Sequence, residues 1–209
     1  VQRLMREDSR YPTPHQMPWL PMIDAEAWCK SVPRWRGSER KTPVIGRHGR
    51  DAYTKWPSSP EAIRHAYCVD TSWEVRFLGG AQHAVQLLGG YPTNWKILPF
   101  DGMSVQDFLA DLDFFIHYPH EEYIEEFGRA VMEAMAVGVP VVLPHQFKET
   151  FGDAALYAAP HEVVPTIARL WESKADYLKR IEIGRRFVAE NCDIRSFDRR
   201  LAALEMGTG

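Results

Sequence analysis

Two glutamates and the residues between them give this sequence its clearest potential for chemistry. Glu125 and Glu133 are separated by seven residues, and Phe127 and Gly128 lie between them. An ionised carboxylate only accepts hydrogen bonds, so two carboxylates suit the hydroxyl groups of a ribose or another sugar. Free backbone N–H groups at the start of a helix bind phosphate, and a glycine there lets a ligand approach the backbone closely. Together these groups suit a nucleotide-sugar.

A structural explanation of the same residues is also open. Acidic residues such as Glu125 favour helix N-termini because of the helix dipole, and Glu133 suits a solvated helix surface. A second charged region raises the same choice. Residues 34–55 are rich in Lys and Arg, whereas residues 101–126 contain acids and no Lys or Arg. The basic stretch either faces a diphosphate or forms a solvated loop.

The elements around Glu125 predict where these groups lie. Residues 113–118 and residues 139–144 are apolar runs of strand length. Between them, apolar positions recur at helical spacing in a helix whose first turn is predicted at residues 126–129 and which ends at Gly138. A strand–helix–strand unit with uninterrupted apolar strands indicates a parallel sheet covered on both faces. Such sheets bind ligands beyond the carboxyl ends of their strands.

The remaining pattern extends this unit to an α/β domain with a doubly wound, mainly parallel sheet. Further strands are predicted at residues 42–48, 73–80, 95–101 and 155–159. Further helices are predicted at residues 59–67, 81–88, 104–112, 160–171, 174–190 and 194–204, with Ser59 and Ser104 as N-caps. Residues 1–41 show no sustained periodicity, so we expect an arm or a remnant of a preceding domain there and a nucleotide-sugar-binding domain at residues 42–209.

The stretch that contains both glutamates resembles a known family. Residues 125–142, E-E-F-G-R-A-V-M-E-A-M-A-V-G-V-P-V-V, are similar to the signature of the C-terminal donor-binding domain of retaining GT-B glycosyltransferases, family four (group 1). That signature has the two glutamates, the F-G pair, E-A-M-A and G-x-P-V-V. The combined pattern is far more specific than a lone glycine motif. The resemblance extends from about Pro43 to Leu204 and implies the Rossmann-like half of a GT-B fold.

The resemblance implies a role for each candidate residue. The family carries Gly-Arg and a lysine five residues after the arginine, which matches Gly49, Arg50 and Lys55, with Arg47 as an alternative arginine. These cations would offset the charge on the leaving diphosphate, and Glu125 would orient the transferred sugar, which makes Arg50, Lys55 and Glu125 the implied catalytic residues. The other implied donor-binding residues are Leu98 at the base, Phe127 and Gly128 through their amides, and Glu133 at the ribose.

The resemblance also implies an activity. The family members are hexosyltransferase-like enzymes of polysaccharide or glycoconjugate biosynthesis, which move a sugar from a nucleotide-diphospho-sugar to an acceptor with retention and need no metal or cofactor. They require an N-terminal acceptor domain, so we expect this chain alone to be inactive and any peripheral membrane contact to lie in the missing half. Two alternatives stay open. One is a non-catalytic nucleotide-binding or partner-binding module of the same fold. The other is an unrelated flavodoxin-like domain, in which Arg50 and Lys55 would lie far from Glu133.

Composition argues against several other classes. The formal net charge of -3 gives no general reason to bind nucleic acid. Three well-separated cysteines predict a reducing, cytoplasmic location, and no apolar run approaches the roughly 18 residues of a membrane span. His117, His120 and Glu121 could ligate a metal, but the sequence shows no distant third ligand, so we predict no metal site. The sequence lacks the G-x-S-x-G, P-loop and G-x-G-x-x-G motifs of hydrolases, NTPases and dinucleotide-binding enzymes.

Overall fold

A six-stranded parallel sheet positions the candidate residues. The computed structural model describes residues 20–29, 32, 34–125 and 127–206. The strands are β1 (Val44–His48), β2 (Glu74–Leu78), β3 (Trp95–Leu98), β4 (Phe114–Ile116), β5 (Val141–Leu143) and β6 (Leu156–Tyr157). Their order in the sheet is β3-β2-β1-β4-β5-β6, and every neighbouring pair is parallel. The strand order reverses between β1 and β4, which confirms the predicted doubly wound α/β architecture.

Helices cover both faces of this sheet. They are α1 (Ala25–Trp28), α2 (Pro60–Ala66), α3 (Gln82–Leu88), α4 (Val105–Ala110), α5 (Arg129–Val137), α6 (Lys148–Phe151), α7 (Val163–Trp171), α8 (Lys174–Asn191) and α9 (Phe197–Met206). Helices α1, α4 and α5 pack on one face, here called the α5 face, and α2, α3 and α7 pack on the other, the α2 face. Alternate strand residues point to opposite faces, so Phe115 packs on the α5 face, whereas Phe114 and Ile116 pack on the α2 face.

Local sequence signals set the ends of several helices. The Ser59 hydroxyl accepts a hydrogen bond from the amide of Ala62 at 3.0 Å, and Pro60 occupies the first position of α2. Ser104 caps α4 in the same way, so both predicted N-caps are confirmed. Gly138 has a φ of 97° and ends α5, as predicted.

One predicted helix boundary is wrong, and it lies at the candidate site. Helix α5 begins at Arg129 with Gly128 as its N-cap, whereas the sequence predicts a first turn at residues 126–129. The φ of Gly128 is 71°, which is outside the right-handed helical region and favours glycine. Phe127 and Gly128 therefore belong to the loop before the helix, and their amides precede its first turn.

The described residues before β1 pack against the sheet domain. Ile23 forms an isolated bridge with Asp193. Trp35 packs against Trp171 with ring centroids 6.0 Å apart, and its indole N–H donates to the Trp171 carbonyl at 2.9 Å. Most of the predicted arm, residues 1–19, lies outside the described residues, and the predicted division of the chain at residue 41 stays a prediction.

Part of the basic stretch has a structural role that neither interpretation of the sequence anticipates. Arg36 and Arg40 pair with the buried carboxylate of Asp113 at 3.2 and 2.5 Å. The same carboxylate accepts a hydrogen bond from the amide of Val44 at 2.7 Å. Because Asp113 precedes β4 and Val44 opens β1, this cluster lies at the amino edge of the sheet. These two arginines therefore neither face a ligand at the carboxyl edge nor belong to a solvated loop.

Candidate functional site

The loop after β1 brings the remaining predicted cations to the carboxyl edge of the sheet. Gly49 follows β1 directly with a φ of 143°, and its amide donates to the carbonyl of Leu78 at 2.9 Å. Arg50 is exposed, and within the described ranges its guanidinium has no hydrogen-bond or ion-pair partner. Lys55 ends a short 3-10 helix, Tyr53–Lys55. Arg50 and Lys55 thus lie in the same loop, which follows the carboxyl end of β1.

Arg47, the alternative arginine, is enclosed by protein groups. Its side chain is 3% exposed. Its guanidinium donates to the carbonyl of Lys55 and to the hydroxyl of Tyr67, and it lies 4.4 Å from the ring centroid of Trp56. Arg47 therefore fixes the loop that carries Lys55 and cannot reach a ligand without losing these contacts. Arg50 is the arginine of the pair that is exposed at this edge.

Asp51 and Gly79 hold the rest of the loop. The Asp51 carboxylate accepts from the indole N–H of Trp56 at 2.9 Å and from the amide of His83, in the first turn of α3, at 3.2 Å. A Cβ added at Gly79 would lie 2.3 Å from the carbonyl oxygen of Gly49, so only glycine allows the loops after β1 and β2 to pack this closely. The conformation of the basic loop is therefore set by its own protein contacts.

The loop after β4, residues 117–125, lies against this basic loop. The amide of His120 donates to the carbonyl of Thr54 at 3.1 Å, and the amide of Ser58 donates to the Glu121 carboxylate at 3.0 Å. Strands β1 and β4 are neighbours and parallel, so the loops that leave their carboxyl ends meet. The structure thus brings the basic and acidic loops together at one edge of the sheet.

Glu125 makes the closest contacts between these loops. One carboxylate oxygen lies 2.6 Å from the Lys55 ammonium, and the other lies 2.7 Å from Nε2 of His117. The Lys55 ammonium also lies 5.2 Å from the ring centroid of Tyr123. Burial raises the pKa of Glu125, but the hydrogen bond from His117 and the hydrogen bond and charge of Lys55 outweigh burial and lower that pKa to about 2. Glu125 is therefore ionised at neutral pH.

Glu133 lies on α5 and approaches the end of β1. One carboxylate oxygen is 3.2 Å from Nε2 of His48, the last residue of β1, although the contact lacks the geometry of a hydrogen bond. The other oxygen accepts from Nε of Arg129, one turn earlier on the same helix, at 3.0 Å. Glu133 is only 8% exposed, so the interpretation of this residue as a solvated surface group is wrong.

Phe127 and Gly128 lie between the two glutamates. The Phe127 ring packs on Phe151 with centroids 5.2 Å apart. A Cβ added at Gly128 would lie 3.6 Å from Nε2 of His117 and 3.8 Å from Cδ of Glu125, so the backbone there runs close to this pair. In the described part of the chain, the amides of Phe127 and Gly128 donate no hydrogen bond. Both amides are thus unused donors beside the carboxylate.

Leu98 lies farther from the glutamates than the other candidates. It ends β3, the edge strand two positions from β1. Because neighbouring strands are about 4.8 Å apart, roughly 10 Å separates the ends of β3 and β1. The Leu98 carbonyl accepts from the amide of Gly79 at 3.0 Å. The candidate residues therefore form a row along the carboxyl edge, from β3 through β1 to β4, rather than one compact cluster.

The structure places two histidines beside the glutamates: His48 has no predicted site role, and His117 is predicted only as a candidate metal ligand. Alternation along the strands would have placed both, because His48 shares a face with Val44 and His117 shares a face with Phe115. That is the α5 face, which also carries Glu133. Among the described residues, no group of three or more His, Cys, Asp or Glu side chains is arranged to hold a metal ion.

Comparisons with known proteins match this chain at the level of structure. No protein-family model matches the chain, and no curated protein matches it. The chain is similar to a glycosyltransferase from Rickettsia africae, with a TM-score of 0.72, 12% identity and coverage of 97% of this chain and 60% of that chain. It is also similar to the C-terminal domain of a glycosyl transferase group 1 family protein, LpcC, from Francisella tularensis, with a TM-score of 0.59, 19% identity and coverage of 82% and 99%. The chain has the fold of a C-terminal GT-B domain.

Another structure similar to this GT-B domain contains ligands. HepE from Anabaena, in complex with UDP and glucose, matches with a TM-score of 0.66, 17% identity and coverage of 88% of this chain and 55% of that chain. The chain thus spans between 55% and 60% of the length of these first solved structures. At such identities the likeness shows the fold.

Two predictions from composition bear on where this GT-B domain resides. In the described ranges, no helix is both long and apolar enough to cross a bilayer. The three cysteines are free thiols, with Cys29 exposed and Cys68 and Cys192 buried. The predicted reducing, cytoplasmic location stays a prediction.

Proposed function

We propose that this chain is the donor-binding half of a glycosyltransferase, which moves a sugar from a nucleotide-diphospho-sugar to an acceptor with retention. The observation that carries the proposal is the 2.6 Å contact between Lys55 and Glu125. It joins the basic loop after β1 to the acidic loop after β4 at the carboxyl edge, where doubly wound sheets bind ligands. The other alternative, an unrelated flavodoxin-like domain with Arg50 and Lys55 far from Glu133, is disfavoured by the likeness of the fold to GT-B structures.

Arg50 and Lys55 are the proposed partners of the diphosphate. Arg50 is exposed at the sheet edge, whereas Arg47 is committed to protein groups. Lys55 already has a carboxylate partner, so a diphosphate would compete with Glu125 for the same ammonium group. The amides of Phe127 and Gly128 offer further hydrogen-bond donors. As charge builds on the leaving diphosphate, contacts with all these groups strengthen, which lowers the barrier to transfer.

Glu125 and Glu133 are the proposed partners of the sugar hydroxyls, with Glu125 at the transferred sugar and Glu133 at the ribose. Leu98 would contact the base at the far end of the row. The row from β3 to β4 spans three strand spacings, or roughly 15 Å, which suits an extended nucleotide-sugar lying across the sheet edge. The bound UDP and glucose of HepE support this choice of ligand class.

The proposed reaction involves no metal ion or cofactor, since protein cations would offset the diphosphate charge. It does involve an acceptor-binding domain in addition to this one. We therefore propose that the chain binds the nucleotide-sugar weakly and transfers no sugar without such a domain.

Titration with nucleoside diphosphates tests the proposal. UDP, GDP and ADP are each titrated calorimetrically into the wild type, Lys55→Ala and Arg50→Ala. A hydrogen bond to a charged group contributes about 1.5–3 kcal/mol, so we expect Lys55→Ala to weaken the best-bound diphosphate by about 10- to 100-fold. We expect Arg50→Ala to weaken it as well, whereas Arg47 is not a useful test because its loss would disturb the loop.

A matched control separates this effect from a general loss of positive charge. Lys179 is an exposed lysine on α8, two residues after Tyr177, whose hydroxyl donates to the Asp113 carbonyl at the amino edge of the sheet. Lys179→Ala should therefore leave diphosphate affinity unchanged. Equal affinities for the wild type and Lys55→Ala, or no binding by either, would favour the alternative function, a non-catalytic nucleotide-binding or partner-binding module of the same fold.

A further inference from the structure

We infer that His117 is a positioning residue. It holds Glu125 at the transferred sugar when the Lys55 ammonium leaves Glu125 and binds the diphosphate. The inference rests on the proposed function and extends it to a residue outside the motif resemblance. The two carboxylate oxygens of Glu125 have different partners. Oε1 contacts Lys55 at 2.6 Å and Oε2 contacts His117 at 2.7 Å, so each oxygen has its own partner.

The two partners differ in how firmly they are held. His117 is 3% exposed, directly follows β4, and packs edge-on against Phe147 with ring centroids 5.9 Å apart. Its amide donates to the carbonyl of Val142 in β5 at 3.2 Å, which ties its backbone to the sheet. The side chain of Lys55 is 28% exposed and carries a flexible stem. Of the two contacts, the one with Lys55 is therefore the exchangeable one.

The protonation state of His117 follows from its surroundings. A carboxylate only accepts hydrogen bonds, so Nε2 must carry the proton that is shared with Glu125. Nδ1 is buried and has no hydrogen-bond partner among the described residues. Burial lowers the pKa of His117, and the cations Arg47 and Lys55 lower it further, while Glu125 raises it. The imidazole is therefore neutral at pH 7, with Nε2 as a permanent donor to Glu125.

A fixed donor matters because a diphosphate at Lys55 would remove one of the two contacts of Glu125. Glu125 lies in a loop and lacks the support of a helical backbone. With His117 still bonded to Oε2, the carboxylate keeps its place, and Oε1 becomes free to accept from a sugar hydroxyl. Without His117, the loss of Lys55 to the diphosphate would leave Glu125 without a fixed partner. The benefit of His117 should thus be seen only when the ligand carries a sugar.

The experiment compares ligands with and without the sugar. Dissociation constants are measured for UDP and UDP-glucose, GDP and GDP-mannose, and ADP and ADP-glucose, and the pair that the wild type binds best is carried forward. The variants are His117→Leu, which fills the space without a donor, and His117→Gln, whose amide N–H can replace Nε2–H. We expect His117→Leu to reduce the extra affinity due to the sugar by about 10-fold and to change diphosphate affinity by less than about 2-fold. His117→Gln should restore most of the sugar-dependent affinity.

The outcomes distinguish this inference from the proposed function. If the wild type binds none of the six ligands, the proposed function fails and the inference fails with it. If the wild type binds and His117→Leu keeps the full sugar-dependent affinity, or loses affinity equally for both ligands, only the inference is overturned. A merely structural role for His117 would make His117→Leu lose affinity equally for the diphosphate and the nucleotide-sugar.

A measurement on the wild type keeps the inference testable even if His117→Leu does not fold. Nitrogen NMR of the imidazole rings reports which nitrogen carries the proton. We expect His117 to be neutral at pH 7 with its proton on Nε2, because burial lowers its pKa below the ordinary value. A proton on Nδ1, or titration at the ordinary histidine pKa of about 6.5, would overturn the inference without any ligand.

Discussion

The two glutamates of the candidate site are held in contrasting ways. Glu125 lies on a loop, and its ion-pair partner, Lys55, is 70 residues away in the sequence. Glu133 lies on a helix, and its partner, Arg129, is four residues away on the same helix. The partners also differ in exposure, since the side chain of Lys55 is 28% exposed and that of Arg129 is 71% exposed. Exposed ion pairs contribute little free energy, so the loop contact is the stronger one.

The histidines beside the glutamates show the same contrast. His117 makes a hydrogen bond of 2.7 Å to Glu125. His48 approaches Glu133 to 3.2 Å but without hydrogen-bond geometry. The loop glutamate thus has two well-formed partners, Lys55 from the basic loop and His117 from the start of its own loop, whereas the helix glutamate has one local partner and one loose neighbour.

This difference shows what a loop and a helix each supply to a binding residue. The helix fixes the backbone of Glu133 through its own hydrogen bonds, so a weak local ion pair is sufficient to orient the side chain. The loop supplies no such support, and the position of Glu125 depends on tertiary contacts. Because the contact with Lys55 also joins the loops after β1 and β4, changes at Glu125 should disturb the protein more than changes at Glu133.

The largest expected effect comes from replacing each glutamate with its amide. A glutamine at position 125 has one acceptor oxygen, but it faces two donors, the Lys55 ammonium and the His117 Nε2–H, so one donor must face its NH2 group. We expect Glu125→Gln to lower the free energy of unfolding at pH 7 by about 2–3 kcal/mol, measured by urea denaturation. Glu133→Gln should lower it by less than about 1 kcal/mol, since its ion-pair partner, Arg129, is 71% exposed.

Acid titration checks that charge causes this difference. The pKa of Glu125 is about 2 in the folded protein, below its ordinary value of 4.5. Its contribution to stability is therefore complete above that ordinary value and is lost as the pH falls towards 2. The difference in the free energy of unfolding between the wild type and Glu125→Gln should therefore decrease as the pH falls over this range. A gap that stays constant would show that side-chain shape, and not charge, causes the loss.

Gly128→Ala should give the second largest loss of stability. It probes the space around the loop glutamate, Glu125, and not the space around Glu133. The φ of Gly128 is 71°, and an added Cβ would lie 3.2 Å from Cγ2 of Val131 and 3.8 Å from Cδ of Glu125. Gly89 has a similar φ of 72° but nothing within 4 Å of an added Cβ, so Gly89→Ala is the matched control. We expect losses in the free energy of unfolding of about 2 kcal/mol for Gly128→Ala and about 1 kcal/mol for Gly89→Ala. Equal losses would show that the space around Glu125 can expand freely.

The sequence predicts most of the fold because the signals of the fold are local. The β4–α5–β5 unit follows from two apolar runs and a helical spacing, and Ser59 and Ser104 mark helix starts by their hydroxyls. The glutamates of the candidate site also lie within one short stretch, so their spacing is visible without a structure. The start of α5 is not visible in this way, because helical periodicity does not show that Gly128 has a positive φ.

The contacts that the sequence does not predict join residues that are distant in the chain. The pairing of Arg36 with Asp113 spans 77 residues, and nothing in either segment specifies the other. Arg47 is an intermediate case. Alternation in β1 places it on the same face as Ile45 and so indicates the α2 face. The aromatic rings that receive it there, Trp56 and Tyr67, are brought together only by tertiary packing.

The smallest expected effect is the coupling energy of each ion pair, measured apart from the contacts that the histidines make with the glutamates. Double-mutant cycles with Lys55→Met and Glu125→Gln, and with Arg129→Met and Glu133→Gln, isolate the coupling energy of each pair from the other contacts of its members. We expect a coupling energy of about 1–2 kcal/mol for the partly buried loop pair and about 0.3–0.5 kcal/mol for the helix pair. If the loop pair couples no more strongly than the helix pair, Lys55 contributes little to holding Glu125. His117 alone would then distinguish the loop glutamate from the helix glutamate, and Lys55 would be available to a diphosphate without competition.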